Sequence, residues 1–479
     1  MRYSSKKIIG SLSYKFTEQL AVKGTSLIVG IVLARLLNVK DFGVISLLTV
    51  FTNFASAIIE GGLSTSLIQK KEIDSEDYST VFYTSCILAI LLYVIIYFFS
   101  PWIAVYYGEA EMSAYLRIIA LNLFATPFNA VQLGYVYRNM LFKKLLVASL
   151  SASITSGGIG IILAYIGIGP WALVVQALLS SLISVGVLFF IIPWKPTAEF
   201  AFSKLKEHFR FGWKLLASSL LDTGYIELRT LLIGKRYTTT DLSFYNRGDT
   251  YPKTIMTSLN TAVQTVMFPV LAGEQSNIEE VKNISRKTVM LSSFILFPVM
   301  AGFAAIAEGF VEIVLTDKWE ECVIYLQLAC LTYAMLPINS CNLQAIKAIG
   351  RSDIFLRLTL IKKVIGIMLI VIAIFSFDSP LSVAIVAALY APLELLINAF
   401  PNKKLLSYSI FEQLADILPA FGSSLVMFLI VELLNFAINF VYIKVIIQII
   451  VGVCVYILCS LILQRKIVKE LVDTIKINL

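Results

Sequence analysis

The stretch Leu33-Ala34-Arg35-Leu36-Leu37-Asn38-Val39-Lys40-Asp41-Phe42 joins two long apolar segments, and its pattern returns 200 residues later. The second copy reads Ile233-Gly234-Lys235-Arg236-Tyr237-Thr238-Thr239-Thr240-Asp241-Leu242. In each copy a cation closes the first segment and an aspartate opens the second. Because each apolar segment exceeds the roughly 20 residues that cross a bilayer as a helix, the repeat predicts two copies of a transmembrane helical hairpin.

The second helix of each hairpin carries polar residues three or four positions apart, which places them on one helix face. Under the 200-residue shift, Glu60 aligns with Asn260 and Ser64 aligns with Gln264. Two apolar hairpins with one polar stripe each predict two walls of a shared aqueous cavity. The stripe residues are Asn53, Ser56, Glu60 and Ser64 in the first copy and Thr257, Asn260, Thr261 and Gln264 in the second.

Composition places this cavity in a membrane. Of the 479 residues, 58% are hydrophobic and only 15% are charged, whereas a soluble protein of this size needs more polar surface. Fourteen segments are long and apolar enough to span a bilayer. They are 12–36, 42–66, 80–104, 115–137, 145–167, 170–192, 212–234, 251–271, 288–307, 322–346, 357–376, 380–400, 414–435 and 440–463.

A second repeat, shifted by 210 residues, aligns Pro127 with Pro337 and Asn129 with Asn339, so ten residues are inserted in the second half. Each repeat holds six spans, and an even number means that both copies insert the same way up. The predicted fold is therefore an all-α integral membrane protein with two six-helix lobes related by pseudo-two-fold symmetry, plus two C-terminal helices. The predicted boundaries are 1–192 for the N-lobe, 193–211 for a cytoplasmic amphipathic linker, 212–400 for the C-lobe, 401–463 for the accessory helices and 464–479 for a cytoplasmic tail.

Lysine and arginine are distributed unevenly between the gaps. If the termini are cytoplasmic, the inner gaps hold 23 of these residues and the outer gaps hold 5, which is a strong positive-inside bias. The net charge of +8 then reflects loops that face anionic membrane lipids, and no nucleic-acid partner is expected. The single histidine, His208, lies in the amphipathic linker and is predicted to be a surface residue rather than a metal ligand.

Several ionisable residues fall inside the predicted spans, where charges are costly and normally face the bundle interior or water. Lys15 either extends its amine to the membrane surface or faces the cavity, and Lys23 lies deeper in the same span. In the seventh span, Asp222, Glu227 and Arg229 form either a buried ion pair or part of the cavity lining. The candidate cavity cations are Lys23, Arg229, Lys253 and Lys15. The candidate ion-coupling carboxylates are Glu60, Asp222, Glu227, Glu394 and Glu432.

Motifs for enzyme chemistry are absent from the sequence. There is no Walker A motif, no GxSxG, no HExxH and no DxD cluster, and no gap between spans is long enough to fold a catalytic domain. We therefore expect a transporter without a cofactor rather than an enzyme. Without ATP hydrolysis, transport needs an ion gradient, the membrane potential or removal of the product, and a buried carboxylate is suited to carry a proton or a sodium ion.

Several stretches of this sequence resemble the Wzx-type polysaccharide flippases of the multidrug/oligosaccharidyl-lipid/polysaccharide exporter superfamily. The resemblance is to the branch of lipopolysaccharide and teichuronic acid exporters. The resemblance covers roughly residues 10–365, and Glu227 departs from it because an uncharged polar residue is expected there. The matching stretches are 34–37 with 41–43, 62–63 with 67–71, 169–174 with Gln176, 233–235, 245–248, 268–269, Trp319, and 350–356 with 361–363.

This resemblance implies a twelve-helix core plus two helices in the bacterial cytoplasmic membrane. It implies alternating-access transport of an undecaprenyl-diphosphate-linked oligosaccharide to the outer leaflet, for surface polysaccharides such as the O-antigen, alongside a polymerase and assembly proteins. On this view Lys23, Arg229 and Lys253 would bind the diphosphate. A drug or metabolite antiporter of the same fold, and a membrane enzyme of glycan assembly, are the alternatives.

Overall fold

The structure is a computed structural model that describes residues 5–465 and 467–469. Every regular element in these ranges is a helix, which confirms the all-α prediction. Residues 1–4, and residues 466 and 470–479 of the predicted cytoplasmic tail, lie outside the described residues. The chain forms two compact units that meet in sequence between Ser243 and Phe244.

Nine helices lie wholly in the part of the first unit that the structure describes. A short 3-10 segment, Ala120–Phe124, separates the fifth from the sixth. The helices are α1 (Ser5–Leu36), α2 (Val39–Glu60), α3 (Leu63–Gln69), α4 (Ser75–Tyr107), α5 (Met112–Ile119), α6 (Thr126–Asn139), α7 (Phe142–Ile166), α8 (Trp171–Ile191) and α9 (Phe202–Arg236).

The second unit takes up most of α10 and the nine helices that follow it in the described ranges. Two short helices, α12 and α17, connect longer ones. The helices are α10 (Thr239–Gly273), α11 (Ile278–Ala305), α12 (Ala307–Val314), α13 (Cys322–Ala334), α14 (Leu336–Ala348), α15 (Ser352–Ser376), α16 (Leu381–Ala399), α17 (Asn402–Leu406), α18 (Ile410–Leu433) and α19 (Val441–Leu463).

Thirteen stretches of the described residues are long and apolar enough to cross a membrane, so the chain is a multi-pass membrane protein. They correspond to thirteen of the fourteen predicted spans. The exception is the seventh, 212–234, which forms the C-terminal two thirds of α9. This segment contains Lys214, Asp222, Glu227 and Arg229, and these charges lower its hydropathy below that of the other spans.

The repeated hairpin is present in both copies with the same helix ends. α1 ends at Leu36 and α2 begins at Val39, while α9 ends at Arg236 and α10 begins at Thr239. The aspartate that is present in both copies of the repeat caps the turn in each copy. The backbone N–H of Asn38 donates to Asp41 Oδ2 at 3.1 Å, and that of Thr238 donates to Asp241 Oδ2 at 3.0 Å. Each aspartate thus satisfies an N–H that the helix start leaves unpaired.

The two aligned prolines each lie directly after a break between helices. Pro127 lies in the first turn of α6, after the helix has broken at 120–125. Pro337 lies in the first turn of α14, after the break at Met335. Proline cannot supply the N–H of a continuous helix but is tolerated in the first turn. The ten inserted residues fall between α11 and α13, where the second half contains the additional helix α12.

Two adjacent glycines end α2 and orient α3. Gly61 and Gly62 have φ angles of +40° and +74°, a left-handed conformation that is costly for other residues. A Cβ on Gly62 would lie 2.5 Å from the carbonyl oxygen of Gly212. The backbone of α9 therefore packs directly against this break in the helix.

The helix α9 packs along its length on other helices of the first unit. Its last turns contact α2, since a Cβ on Gly234 would lie 2.5 Å from Leu47 Cδ2. At its C-terminal end, Lys235 Nζ donates to the carbonyl oxygen of Tyr106 at 2.7 Å. The predicted assignment of 212–234 to a C-terminal lobe is not tested by these contacts, and the lobe boundaries stay a prediction.

In the second unit, amide side chains bridge the buried helices. Asn398 donates to Asn339 at 2.9 Å, and Asn402 donates to Asn342 at 2.7 Å. Asn342 in turn donates to Gln413 at 2.9 Å, so α14 is joined to α16, α17 and α18. Each of these hydrogen bonds satisfies one donor and one acceptor that would be costly to bury alone, whereas Asn398 Oδ1, Asn402 Oδ1 and Gln413 Nε2 have no hydrogen-bond partner.

The two accessory helices pack on α11. Arg286 of α11 makes two 2.7 Å hydrogen bonds to Asp416 of α18, and the Tyr408 hydroxyl donates to the same carboxylate at 2.9 Å. From α19, the Tyr456 hydroxyl donates to the carbonyl oxygen of Phe294 at 2.6 Å. The C-terminal helix pair is thus an integral part of the second unit.

Candidate functional site

A row of hydroxyl side chains follows one face of α10. Thr250, Thr261 and Thr265 on this face are exposed, as is Lys253. Each hydroxyl donates to the carbonyl oxygen four residues earlier, at 2.6 to 2.8 Å for Thr250, Thr254, Thr261 and Thr265. A span that exposes hydroxyls and an ammonium along one face is suited to line an aqueous path rather than to contact lipid.

Lys253 lies at the start of this face and has a carboxylate partner. Its Nζ is 3.8 Å from Oδ2 of Asp249, one helical turn earlier. The Tyr333 hydroxyl, from α13, donates to the same carboxylate at 2.9 Å from Oδ1 and 3.1 Å from Oδ2. The Lys253 side chain is 48% exposed, whereas that of Asp249 is 20% exposed.

The predicted stripe on α2 makes polar contacts within the first unit. Asn53 Nδ2 donates to Glu227 Oε1 of α9 at 2.9 Å, which joins a stripe residue to a candidate coupling carboxylate. Ser56 Oγ lies 3.5 Å from Thr126 Oγ1 of α6. Glu60 is half-buried at the end of α2, and Ser64 Oγ donates to the carbonyl oxygen of Ala130 at 2.9 Å.

The predicted stripe on α10 is partly engaged within the second unit. Gln264 donates to Ser340 Oγ at 3.0 Å and accepts from Gln344 at 2.9 Å. Asn260 is buried, and its carbonyl Oδ1 has no hydrogen-bond partner. Thr257 donates to the carbonyl oxygen of Lys253 at 2.8 Å. The common cavity of the two stripes stays a prediction.

Among the candidate cations of the first unit, Lys15 is paired inside its own helix. Its Nζ is 2.7 Å from Glu18 Oε2, as the spacing of three residues allows, and 5.7 Å from the ring centroid of Tyr137. Lys23 and Arg229 are half-buried. Asp222, a predicted coupling residue, is exposed on α9.

The other two candidate carboxylates lie in the second unit. Glu394 is half-buried in α16. Glu432, near the end of α18, accepts from Asn435 Nδ2 at 3.1 Å. Among the residues that the structure describes, no three His, Cys, Asp or Glu side chains are close enough together to hold a metal ion.

The prediction that His208 is a surface residue is wrong. The side chain is 1% exposed, because α9 places it between α3 and α4. Nδ1 lies 2.8 Å from Ser66 Oγ, and Nε2 lies 3.0 Å from Asp77 Oδ1. Burial lowers the pKa of His208 below its ordinary range, against the opposing effect of Asp77, so the ring is neutral near pH 7.

Charged side chains surround this histidine. Lys70 Nζ is 2.7 Å from Asp77 Oδ1 and 2.9 Å from Glu207 Oε2. Lys204 bonds Asp74 and also lies 2.7 Å from Glu76 Oε2, and its hydrogen bond lowers the pKa of Asp74 to about 2. We call the group of Ser66, Lys70, Asp77 and His208 the histidine cluster. It joins α9 to α3 and α4.

Sequence reasoning missed two groups. Asp249 and Tyr333 were not candidates, although the spacing of four between Asp249 and Lys253 is a signal for an ion pair on one helix face. The histidine cluster has no such local signal, because His208 and its two partners are 131 and 142 residues apart in the chain.

Comparison with known families and proteins agrees with the observed fold. The sequence profile of a family described as polysaccharide biosynthesis protein matches residues 32–324. WzxC, a lipopolysaccharide biosynthesis protein of Escherichia coli (strain K12), is 22% identical over 373 residues, which cover 77% of this chain and 75% of WzxC. The teichuronic acid biosynthesis protein TuaB of Bacillus subtilis (strain 168) is 25% identical over 312 residues, 63% of each chain.

Solved structures share the fold at low sequence identity. The lipid II flippase MurJ in an inward closed conformation superposes with a TM-score of 0.77 at 16% identity, covering 96% of this chain and all of that one. An inward-facing multidrug resistance MATE transporter of the MOP superfamily gives a TM-score of 0.61 at 17% identity, covering 81% of this chain and 95% of that one. These similarities establish a MurJ- and MATE-like fold.

Proposed function

Because this chain belongs to the polysaccharide biosynthesis protein family, we propose that it is a flippase for a lipid-linked oligosaccharide. Its substrate is an undecaprenyl-diphosphate-linked oligosaccharide, which it moves from the inner to the outer leaflet for export of a surface polysaccharide. The observation that carries the proposal is the polar face of α10, with exposed hydroxyls and Lys253 along a membrane-spanning helix.

The chemistry of such a substrate fits this face. A diphosphate and a glycan cannot cross hydrocarbon without polar partners. Hydroxyl side chains suit sugar hydroxyl groups, and cations suit the diphosphate, because charge-assisted hydrogen bonds are about twice as strong as neutral ones. We propose that Lys23, Arg229, Lys253 and Lys15 provide the cations.

The same proposal includes a cavity shared by the two repeated hairpins and alternating access between two lobes. Cysteines introduced as Ser56→Cys and Asn260→Cys test the cavity. We expect both to react with a membrane-impermeant thiol reagent, and their rates to change when substrate is added. If both stay unreactive from either side of the membrane, the stripes do not line a common aqueous space.

Energy for transport is proposed to come from a proton or sodium gradient through one of the carboxylates Glu60, Asp222, Glu227, Glu394 or Glu432. The proposed location is the bacterial cytoplasmic membrane with both termini inside, in agreement with the excess of Lys and Arg in the inner gaps. A polysaccharide polymerase and assembly proteins would act on the exported product. Flipping that is unchanged after both gradients are collapsed would exclude ion coupling.

The direct test is reconstitution in proteoliposomes. A labelled undecaprenyl-diphosphate oligosaccharide is placed in the membrane, and the glycan that becomes accessible to an impermeant glycosidase is measured over time. We expect Lys23→Gln and Arg229→Gln to slow flipping roughly tenfold, because a lost hydrogen bond to a charged group costs about 1.5 kcal/mol.

A matched control uses the pair of Lys40 and Glu109, 2.9 Å apart, since Lys40→Gln removes a cation in the first turn of α2 that is not among the proposed cavity cations. It should flip at the wild-type rate. If the wild type does not accelerate glycan exposure but drives gradient-dependent efflux of small organic compounds, the protein is instead an antiporter.

A further inference from the structure

The strongest unassigned feature is the contact among Asp249, Lys253 and Tyr333. Asp249 and Lys253 are four residues apart on α10, and the 3.8 Å between Nζ and Oδ2 is near the limit of an ion pair. A pair at this distance with a half-exposed lysine is worth about 1 kcal/mol or less. A ligand with greater negative charge can therefore displace the carboxylate from Lys253.

The carboxylate itself is held in place from its other side. Tyr333 donates its hydroxyl across both oxygens of Asp249, at 2.9 and 3.1 Å. Around it, α10 and α13 are in close contact, because a Cβ on Gly248 would lie 2.6 Å from Tyr325 Cβ. Asp249 is thus a fixed anion, while Lys253 is a long, exposed and movable cation.

We propose that Asp249 is a positioning residue that competes with the substrate diphosphate for Lys253, and that this competition permits release of the substrate. The inference rests on the proposed function. When the diphosphate binds, Lys253 turns from Asp249 to the phosphate oxygens, and Tyr333 continues to satisfy the carboxylate. When the substrate leaves, Asp249 pairs with Lys253 again.

This exchange addresses a general requirement of transport, in which binding must be strong enough for entry and weak enough for exit. An isolated ammonium in a membrane-spanning helix would be costly, so a lysine without an alternative partner would hold the diphosphate too tightly. Asp249 lowers that cost in the empty protein. The structure thereby assigns the release of the head group to a residue that need not touch the substrate.

Two substitutions in the same contact should have opposite effects on affinity. Asp249→Asn removes the competitor and should tighten binding of the diphosphate about threefold to fivefold, the range for a pair of this strength. Tyr333→Phe removes the hydrogen bond from the Tyr333 hydroxyl to the Asp249 carboxylate, so this carboxylate is no longer shared between Tyr333 and Lys253. The pair with Lys253 becomes stronger, and binding should weaken about twofold.

The experiment measures binding of undecaprenyl diphosphate to the purified full-length protein in nanodiscs, with undecaprenol as the uncharged control. The double variant D249N/Y333F should bind like D249N, since Tyr333 acts only through the carboxylate. In a Lys253→Gln background, neither substitution should change affinity. D249N should also flip more slowly at saturating substrate despite its tighter binding, a combination that a merely structural defect does not produce.

The outcomes distinguish a failure of the proposed competition for Lys253 from a failure of the proposed flippase function. If the wild type binds undecaprenyl diphosphate better than undecaprenol, but D249N and Y333F shift affinity in the same direction or not at all, the competition is refuted and the flippase proposal stands. If the wild type does not distinguish the two lipids, the proposed function fails and the inference fails with it. Should D249N not fold, Y333F alone decides, because unchanged or tighter binding by that variant contradicts the competition.

Discussion

Replacement of the buried histidine tests how strongly the histidine cluster holds α9 to α3 and α4. His208→Leu keeps a side chain of similar size but removes both ring nitrogens. It deletes one hydrogen bond to the neutral Ser66 hydroxyl and one to the Asp77 carboxylate. With about 1 kcal/mol for the first and about 2 kcal/mol for the second, the expected loss is about 3 kcal/mol.

Thermal unfolding of the purified protein in detergent, followed by tryptophan fluorescence, measures this loss. A change of 1 kcal/mol lowers Tm by roughly 2 to 4 °C in a domain of 150–250 residues, so we expect a decrease of roughly 6 to 12 °C. Phe209→Leu is the matched control, because Phe209 is the neighbouring residue and is 56% exposed. A Tm for H208L equal to that of F209L would refute the role of the cluster.

The buried histidine also predicts a pH dependence of the stability of the wild type, which the same variant tests. Burial lowers the pKa of His208 from its ordinary value of 6.5, so below that value the unfolded chain binds a proton that the folded chain resists. This contribution to stability is complete above pH 6.5 and is lost as the pH falls toward the folded pKa. The charged groups that act on the ring are Asp77, Glu207 and Lys70. The wild type should therefore lose more stability than H208L between pH 7.5 and 5.5, and equal slopes would contradict the assignment.

Two further substitutions test the packing of each unit. Gly62→Ala places a Cβ 2.5 Å from a carbonyl oxygen at a φ of +74° and should lower Tm by several degrees through a cost of about 2 kcal/mol or more, whereas Gly158→Ala, with open space around it, should not. Arg286→Met leaves the Asp416 carboxylate with one fewer partner and should cost about 1–3 kcal/mol. The double variant R286M/D416N should melt higher than R286M, and a lower melting temperature would show that the ion pair is not the source of the loss.

Local rules anticipated much of the architecture. The repeat that is visible in the sequence predicts that the turn before Asp41 recurs before Asp241, although the predicted seventh span ended at 234 and α9 ends at Arg236. Pro127 breaks its span because proline has no N–H, a property of the residue itself. Such features depend on neighbours within a few positions, and sequence contains that information directly.

Contacts between distant segments were beyond the same reasoning. His208 lies on an amphipathic stretch between exposed phenylalanines, and nothing near it indicates that Asp77 and Ser66 would enclose it. The partners of the charged residues in α9 could not be predicted from the sequence either. Glu227 was identified as unusual, but its hydrogen bond with Asn53 depends on how α9 crosses α2. The pairing of Asp249 with Tyr333 likewise depends on the packing of α13, which periodicity does not specify.

The hydroxyl row on α10 has a consequence for solvation. Each threonine already donates its proton to a carbonyl oxygen one turn earlier in its own helix, so the loss of water from this face strands no donor. Dehydration of the threonine hydroxyls is therefore less costly than dehydration of free donors, while their oxygen lone pairs still accept hydrogen bonds from water or from sugar hydroxyls. The threonine part of this face can pass between hydrated and dry surroundings without the loss of a donor's partner, so the desolvation cost of the face is concentrated at Lys253.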